Sequence, residues 1–515
     1  MHGIPTLAPI APARRGPPTY ERATRRRSPV FLLSISRFLG SRHVRPPFKI
    51  GDRCTILDFR RPDMTRSTRI ARLSIPVALV ALGVAACGGD ASSPAASASA
   101  GSGNPLATDD QIAAEKRALE LVQAPAVIEA KAVLKSKWLA AAQTLGGVPA
   151  EAMASLDTAV DETVFSNALS VANRDPERPK IVSLLAAPHA WFGLSVPGSR
   201  TTFDNPDTIY RTFVVDPAAS YVVAGHVDRH APVDVNISLW NSANATLSNL
   251  PGQQLATDAD GNFTITADAS AQGSGNHVQL TPTAASFFIR DTVNDWGVQQ
   301  FNRLSVKRVP ATTTASTVTQ DAQAAALAAT LGKVGDVFAY YNALAYAQPV
   351  NTLPAITRGG ANGRLSSQAA TYSAFRLADD EALVLSVNLG GAKYFIAPAY
   401  SRWTITTDYI GHTQTLNNTQ AVADPDGTYT FVVSPSDPGV YNWVDTVGIH
   451  EGLLNLRWQG LPDTAGAAPP SASARLVKLR DLPSVLPPTT KYVTAGERHA
   501  QQVARAASYA SRYTP

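Results

Sequence analysis

Four polar and aromatic residues near turns of one β-rich stretch, Asn205, Asp207, Tyr210 and Arg290, have partners in kind further along the chain: Asn442, Trp443, Asp445 and Arg457. Asp/Arg pairs flanked by aromatic rings can hold a carboxylate or a sugar, through bidentate hydrogen bonds and ring stacking. The same residues admit a scaffold role, with Asn205-Pro206-Asp207 as an Asx turn and Arg290 and Arg457 each pairing with a nearby carboxylate. They also admit acid–base chemistry. Asp207 or Asp445 would then move a proton while Arg290 or Arg457 holds an anion, in a metal-independent hydrolase or lyase.

Other motifs carry less. Asp258-x-Asp260-Gly261 and Asp424-x-Asp426-Gly427 resemble the opening of a calcium loop, but Ala269 and Pro435 stand where the bidentate Glu belongs. Asp-Gly between strand-like runs is instead a hairpin-type turn signal, since Gly supplies positive φ. His226 and His230 have helical zinc spacing but fall in a strand-and-turn context. Four residues along a strand is roughly 13 Å, too far for one metal. Gly193-Leu-Ser195-Val-Pro197 lacks the last glycine of a nucleophile elbow. The expectation is no metal site and no cofactor.

Cys87 has chemistry of a different kind. From Met64 the chain reads Arg66, Arg69 and Arg72, an apolar run from Leu73 to Ala86, then Val84-Ala85-Ala86-Cys87. Basic region, short apolar region and small residues form the order of a secretory signal. The run falls short of the roughly 20 residues that span a bilayer. The cysteine after Val-Ala-Ala resembles a bacterial lipobox. That resemblance implies a lipid on the Cys87 sulfur and an exported protein held to a membrane on its extracytoplasmic side. Gly88 to Asn104 is a Gly/Ala/Ser tether with one proline.

Charge supports the same division. The 515 residues carry a formal net charge of +5, yet residues 1–63 alone hold 13 basic and 4 acidic side chains. Residues 87–515 hold 29 basic and 36 acidic ones, a net of −7. An acidic body repels phosphate, which excludes nucleic acid as a partner. The two cysteines, Cys54 and Cys87, exclude a disulfide framework.

Composition and periodicity divide the chain as follows. Residues 1–63 are untranslated or disordered, 64–86 the signal peptide and 87–107 the tether. A helical segment covers 108–200, with a break at Gly146-Gly147 and Pro149 and a further helix over 150–172. A first β unit covers 201–310, a helical connector 311–349, a second β unit 350–470, and a tail 471–515. The tail has a last helix, with Thr494 and Glu497 in capping-box positions.

The two β units look like copies. Asp258-Ala-Asp260-Gly261-Asn-Phe263-Thr-Ile265 matches Asp424-Pro-Asp426-Gly427-Thr-Tyr429-Thr-Phe431, and Asn276 and Asn442 keep the same 166-residue offset. Phe288-Ile-Arg290 parallels Asn455-Leu-Arg457 after a one-residue slip. Upstream, Val215-Asp216 before Tyr221 parallels Val387-Asn388 before Tyr394. The fold class expected is α+β and β-dominant: duplicated antiparallel β-sandwich or jelly-roll units with flanking and connecting helices.

The second copy's Asp426-Gly427, Asn442-Trp443 and Leu456-Arg457 segments, in that order, resemble the bacterial family catalogued as domain of unknown function 1214. Asn205-Pro206-Asp207-Thr208 and Tyr210 resemble a segment of its usual partner domain, the 1254 type. Val444-Asp445 and Trp458 depart from that pattern. The resemblance covers roughly residues 200–470 and implies a two-part β-rich fold in an exported protein, with no reaction attached. Two readings of function follow: a lipid-anchored envelope protein that binds a small molecule or glycan, or the envelope hydrolase or lyase described above.

Overall fold

The computed structural model describes residues 103–514 except 272, 274, 361–363, 464, 465 and 467. Cys87, the signal-like segment and residues 1–63 lie outside them. Three helices come first: α1 (Asp109–Leu121), α2 (Pro125–Thr144) and α3 (Ala150–Ala172). Thr108 caps α1 by accepting from the Gln111 amide at 3.1 Å. Gly146 and Gly147 end α2 at φ +109° and +90°, where L side chains are strained, and Pro149 precedes α3.

The first set of strands follows: β1 (Val182–Leu184), β2 (His189–Trp191), β3 (Leu194–Val196), β4 (Thr208–Val214), β5 (Ser220–His226) and β6 (Asp234–Asn241). It continues through β7 (Thr246–Pro251), β8 (Asn262–Asp268), β9 (His277–Gln279), β10 (Ala284–Thr292) and β11 (Arg303–Val309). Helix α4 (Gln320–Ala345) packs back on α2 and α3, where Trp138 stacks on Phe338 at 4.5 Å between ring centroids. The second set is β12 (Thr357–Arg358), β13 (Ala369–Arg376), β14 (Glu381–Asn388), β15 (Tyr394–Tyr400) and β16 (Thr415–Asn417). Then come β17 (Tyr429–Ser434), β18 (Trp443–Asp445), β19 (Glu451–Gln459) and β20 (Ser471–Lys478), followed by helices α5 (Leu482–Val485) and α6 (Ala495–Ala510).

The strands build the expected α+β, β-dominant fold, with the sandwich present twice. One five-stranded sheet runs β1-β4-β10-β6-β7 and the other β12-β13-β19-β15-β16. Their four-stranded mates run β11-β5-β8-β9 and β20-β14-β17-β18. The correspondence is strand for strand and includes the unusual feature. Only β8 with β9, and β17 with β18, pair in parallel among the described strands. Phe213, Ile237, Phe287 and Ile289 fill the first sandwich, and Phe395, Phe431, Leu456 and Trp458 the second.

Several sequence expectations need correction. The first β unit begins at Val182 rather than 201, because a three-residue strand too short to show periodicity adds to the edge of its five-stranded sheet. The second ends at Lys478 rather than 470; β20 is Ser/Ala-rich and offers little apolar alternation. Gly261 and Gly427 do supply positive φ, +84° and +82°, but neither turn closes a hairpin. Each sends the chain across to the opposite sheet, since β7 lies beside β6 while β8 lies beside β5. The upstream parallel was one strand out of step. Tyr221 lies in β5, whose counterpart is β14, whereas Tyr394 lies in β15, the counterpart of β6.

Strand alternation decides which residues leave the cores. On β10, Phe287 and Ile289 point inward, so Phe288, Arg290 and Thr292 lie on the outer face. On β19, Leu454, Leu456 and Trp458 point inward, so Asn455, Arg457 and Gln459 lie outward. These outer faces meet. Thr292 Oγ1 donates to Gln459 Oε1 at 3.0 Å, and the Tyr400 hydroxyl donates to Asp204 O at 2.8 Å. Helix α6 and the turn after it bind across both sandwiches through arginines seven residues apart. Arg498 pairs with Asp437 at 2.9 Å, Arg505 donates to Tyr409 O at 2.6 Å, and Arg512 to Pro206 O at 2.5 Å. The expected capping box at Thr494 and Glu497 starts this helix.

Candidate functional site

Asn205 and Asp207 lie at the junction of the two sandwiches, both fully buried. Asn205 Oδ1 accepts from the Asp207 amide at 3.0 Å, the Asx turn that the Asn-Pro-Asp order allows. The Asp207 carboxylate accepts from Trp296 Nε1 at 2.7 Å, the Tyr394 hydroxyl at 2.8 Å and Asn417 Nδ2 at 2.9 Å. Burial raises its pKa, and the bonds from Asn417 and Tyr394 oppose that rise. Tyr394 and Asn417 belong to the second sandwich, so this carboxylate joins the halves.

Asn442, Trp443 and Asp445 are elsewhere, on or beside the four-stranded sheet of the second sandwich. Asn442 exchanges two hydrogen bonds with the Val422 backbone, both at 2.8 Å. Asn276 does the same to Ala256, at 2.7 and 2.8 Å, in the first. The repeated asparagine therefore pins a loop in each copy. Trp443 is buried, with the Arg498 guanidinium 5.0 Å from its ring centroid. Asp445 pairs with His412 at 2.7 Å; burial raises its pKa and the His412 bond opposes the rise. These three residues do not join Asn205, Asp207 and Tyr210 in one site.

Tyr210, Arg290 and Arg457 do come together, where the outer faces of the two five-stranded sheets meet. Tyr210 and Arg290 are directly paired in register, and each guanidinium lies within electrostatic reach of Tyr210. Neither arginine forms an ion pair among the described residues, contrary to the scaffold expectation. Other buried arginines do have carboxylates: Arg211 on the inner face of the same sheet pairs with Asp291, and Arg200 with Glu162, whereas Arg402, Arg505 and Arg512 are held by backbone carbonyls.

The two open arginines differ. Arg457 donates to Phe203 O and to the Tyr400 hydroxyl at 2.8 Å. With the Asn455 amide turned to present its oxygen, Arg457 Nε and Nη2 also reach it at 2.9 and 3.1 Å. Arg290 has one long hydrogen bond, from Nη1 to Ser238 Oγ at 3.3 Å. Its guanidinium lies over Phe288 and Trp240, 4.6 and 5.3 Å from their centroids. Burial lowers its pKa to about 10, and the nearby Arg457 charge acts in the same direction. Even so lowered, the group is cationic at neutral pH.

Beneath Arg290 runs a chain of polar side chains that sequence reasoning passed over. Ser238 Oγ donates to Asn249 Oδ1 at 2.8 Å, Asn249 Nδ2 to Asn236 Oδ1 at 2.9 Å, and Asn236 Nδ2 to Asp234 Oδ2 at 2.8 Å. Burial raises the Asp234 pKa; the Asn236 bond, Lys393 and Arg290 oppose it. Trp240 and Phe288 stack at 4.1 Å to form a wall, and Trp240 Nε1 is buried without a partner among the described residues. The signal was present in β6, Asp234-Val-Asn236-Ile-Ser238-Leu-Trp240, where every second residue is polar or amphipathic and those between are apolar. In the second copy, Ile396 and Pro398 stand at the register positions of Asn236 and Ser238. The polar chain exists in one copy only.

A recess of about 250 Å3 beneath α6 is a weaker alternative. Its Arg505 already donates to Tyr409 O, Gln420 Oε1 and Thr415 Oγ1. Among the described residues, no group of three or more His, Cys, Asp or Glu side chains could hold a metal ion.

No family model and no curated protein matches the chain. Solved structures do. The crystal structure of an uncharacterised protein from Burkholderia cenocepacia is 22% identical, covers 71% of this chain and all of its own, and superposes with a TM-score of 0.58. A protein from Vibrio parahaemolyticus, 13% identical over 67% of this chain and all of its own, gives a TM-score of 0.36. The likeness to the Burkholderia protein shows that the chain shares its fold.

Proposed function

We propose that the protein is a lipid-anchored component of the bacterial cell envelope that binds a small molecule or glycan where the two five-stranded sheets face each other. The observation that carries the binding site is Arg290: among the described residues, a guanidinium with one long hydrogen bond, no ion pair and an aromatic wall beside it. Arg457, Arg505 and Arg512 lack carboxylates too, but hydrogen bonds satisfy them; a guanidinium withdrawn from water without such partners costs stability unless a ligand completes it. The anchor rests on the order of basic, apolar and small residues ending at Cys87, followed by a tether that leads to α1. Among the described residues, no helix is long and apolar enough to cross a membrane.

A hydrolase or lyase remains the second reading, with its acid reassigned. Asp207 is closed off by three donors and Asp445 lies away from both open arginines. Asp234, buried and linked to Arg290 through the polar chain, is the carboxylate that reading would use.

A thermal-shift screen of sugars, organic acids and lipids tests the binding function. At least one class should raise the Tm by several degrees, and Arg290→Gln should abolish that rise. No stabilisation by any class would contradict it.

A further inference from the structure

We infer that the ligand is an acidic sugar, a ring carrying a carboxylate, held with its carboxylate on Arg290 and its hydroxyls along Asn249 and the polar chain behind it. This rests on the binding function proposed above and narrows it to a ligand class.

Three observations point the same way. The charge is unbalanced: among the described residues Arg290 forms no ion pair, and the one carboxylate that acts on it, Asp234, is set against Arg290, Arg457 and Lys393. An anion is the group that balances such an excess, and a planar guanidinium favours a carboxylate through two parallel hydrogen bonds.

The floor is built of groups that both donate and accept. Ser238, Asn249 and Asn236 form a continuous chain ending on Asp234, and Asn249, half-buried, retains an amide N–H beyond the one given to Asn236. Hydroxyls, which donate and accept at once, match that floor better than a plain hydrocarbon acid does. The stacked Trp240 and Phe288, both half-buried, offer an apolar surface for the C–H face of a ring, and among the described residues the buried Trp240 N–H lacks an acceptor.

The divergence of the copies supports a function for these groups. The sandwich is repeated strand for strand, yet Ile396 and Pro398 replace Asn236 and Ser238 at the equivalent positions. Folding the sandwich therefore does not require the polar chain.

Calorimetry on the full protein with D-glucuronate, its methyl ester and D-glucose tests the inference. Glucuronate should bind at least tenfold tighter than the ester or glucose. Arg290→Gln should erase that preference, while Arg290→Lys, which keeps the charge and loses the fork, should retain part of it. Both variants are checked by circular dichroism for folding, and Asn249→Ala should weaken glucuronate and glucose alike. Equal binding of all three sugars would overturn the acidic-sugar inference and leave the binding function standing. Binding of benzoate with no binding of any sugar would do the same. Silence from these probes together with an empty thermal-shift screen would overturn both.

Discussion

Arg290 and Arg457 occupy the same register position in two copies of one sandwich, 167 residues apart, and are satisfied in opposite ways. Arg457 is held by Phe203 O, the Tyr400 hydroxyl and the Asn455 amide, while Arg290 rests on aromatic rings with one long hydrogen bond. Duplication explains why both are arginine, and the difference in their partners separates a strut from a candidate ligand contact.

That difference has a thermodynamic consequence. Arg457→Ala leaves a carbonyl, a hydroxyl and an amide oxygen without their donor and should cost about 2–4 kcal/mol. Arg290→Gln removes a charge that burial already disfavours and should change stability by less than about 1 kcal/mol. Urea denaturation of the two variants reads this directly, and equal losses would contradict the assignment.

Asp207 ties the sandwiches together, because its acceptors serve Trp296, Tyr394 and Asn417 at once. Asp207→Asn turns an acceptor edge into a donor and sets it against existing donors. The expected loss is about 2–4 kcal/mol, with earlier proteolysis between the halves. Tyr394→Phe, which removes only one of these bonds, should cost about 1 kcal/mol.

Ligand affinity should depend on pH through Asp234. Burial raises its pKa, so it takes up a proton above the ordinary carboxylate range, and Arg290 and Lys393 are the charges that face it. When ionised it adds a negative charge beside Arg290 and repels an anion. Affinity for glucuronate should therefore be highest below the native Asp234 pKa and fall as pH rises through it. Calorimetry across that range, above the ligand's own titration, should show this slope, and Asp234→Asn should flatten it. A slope unchanged in the variant would locate the titrating group elsewhere.

For the anchor, mass spectrometry of the membrane fraction should find Cys87 as an acylated N-terminus. Cys87→Ser should leave the protein unprocessed or released. Recovery of peptides from residues 1–63 in cells would contradict the expectation that those residues are untranslated.

The fold was legible where local chemistry sets it. The Asp-x-Asp-Gly pair and the shared offset of Asn276 and Asn442 revealed the duplication; α3 and the capping box of α6 followed from breakers and caps. Strand alternation told which face a residue takes, but not which face of another sheet it meets. That pairing joins Asp207 to Asn417 across 210 positions and leaves Asn442, Trp443 and Asp445 away from the junction of the two sandwiches. Asp234 carries no motif although β6 alternates plainly, because Asn236, Ser238 and Asn249 are of types common in strands and the turns beside them. Their role shows only against the second copy, where Ile396 and Pro398 replace two of them.

The most direct measurement is a crystal structure of the protein soaked with D-glucuronate. The ligand carboxylate should lie within hydrogen-bond distance of the Arg290 guanidinium, with the sugar ring against Trp240 and Phe288 and its hydroxyls toward Asn249. Glucuronate in the recess beneath α6, or no ligand at Arg290 at a concentration that saturates binding in solution, would contradict the placement of the site at Arg290.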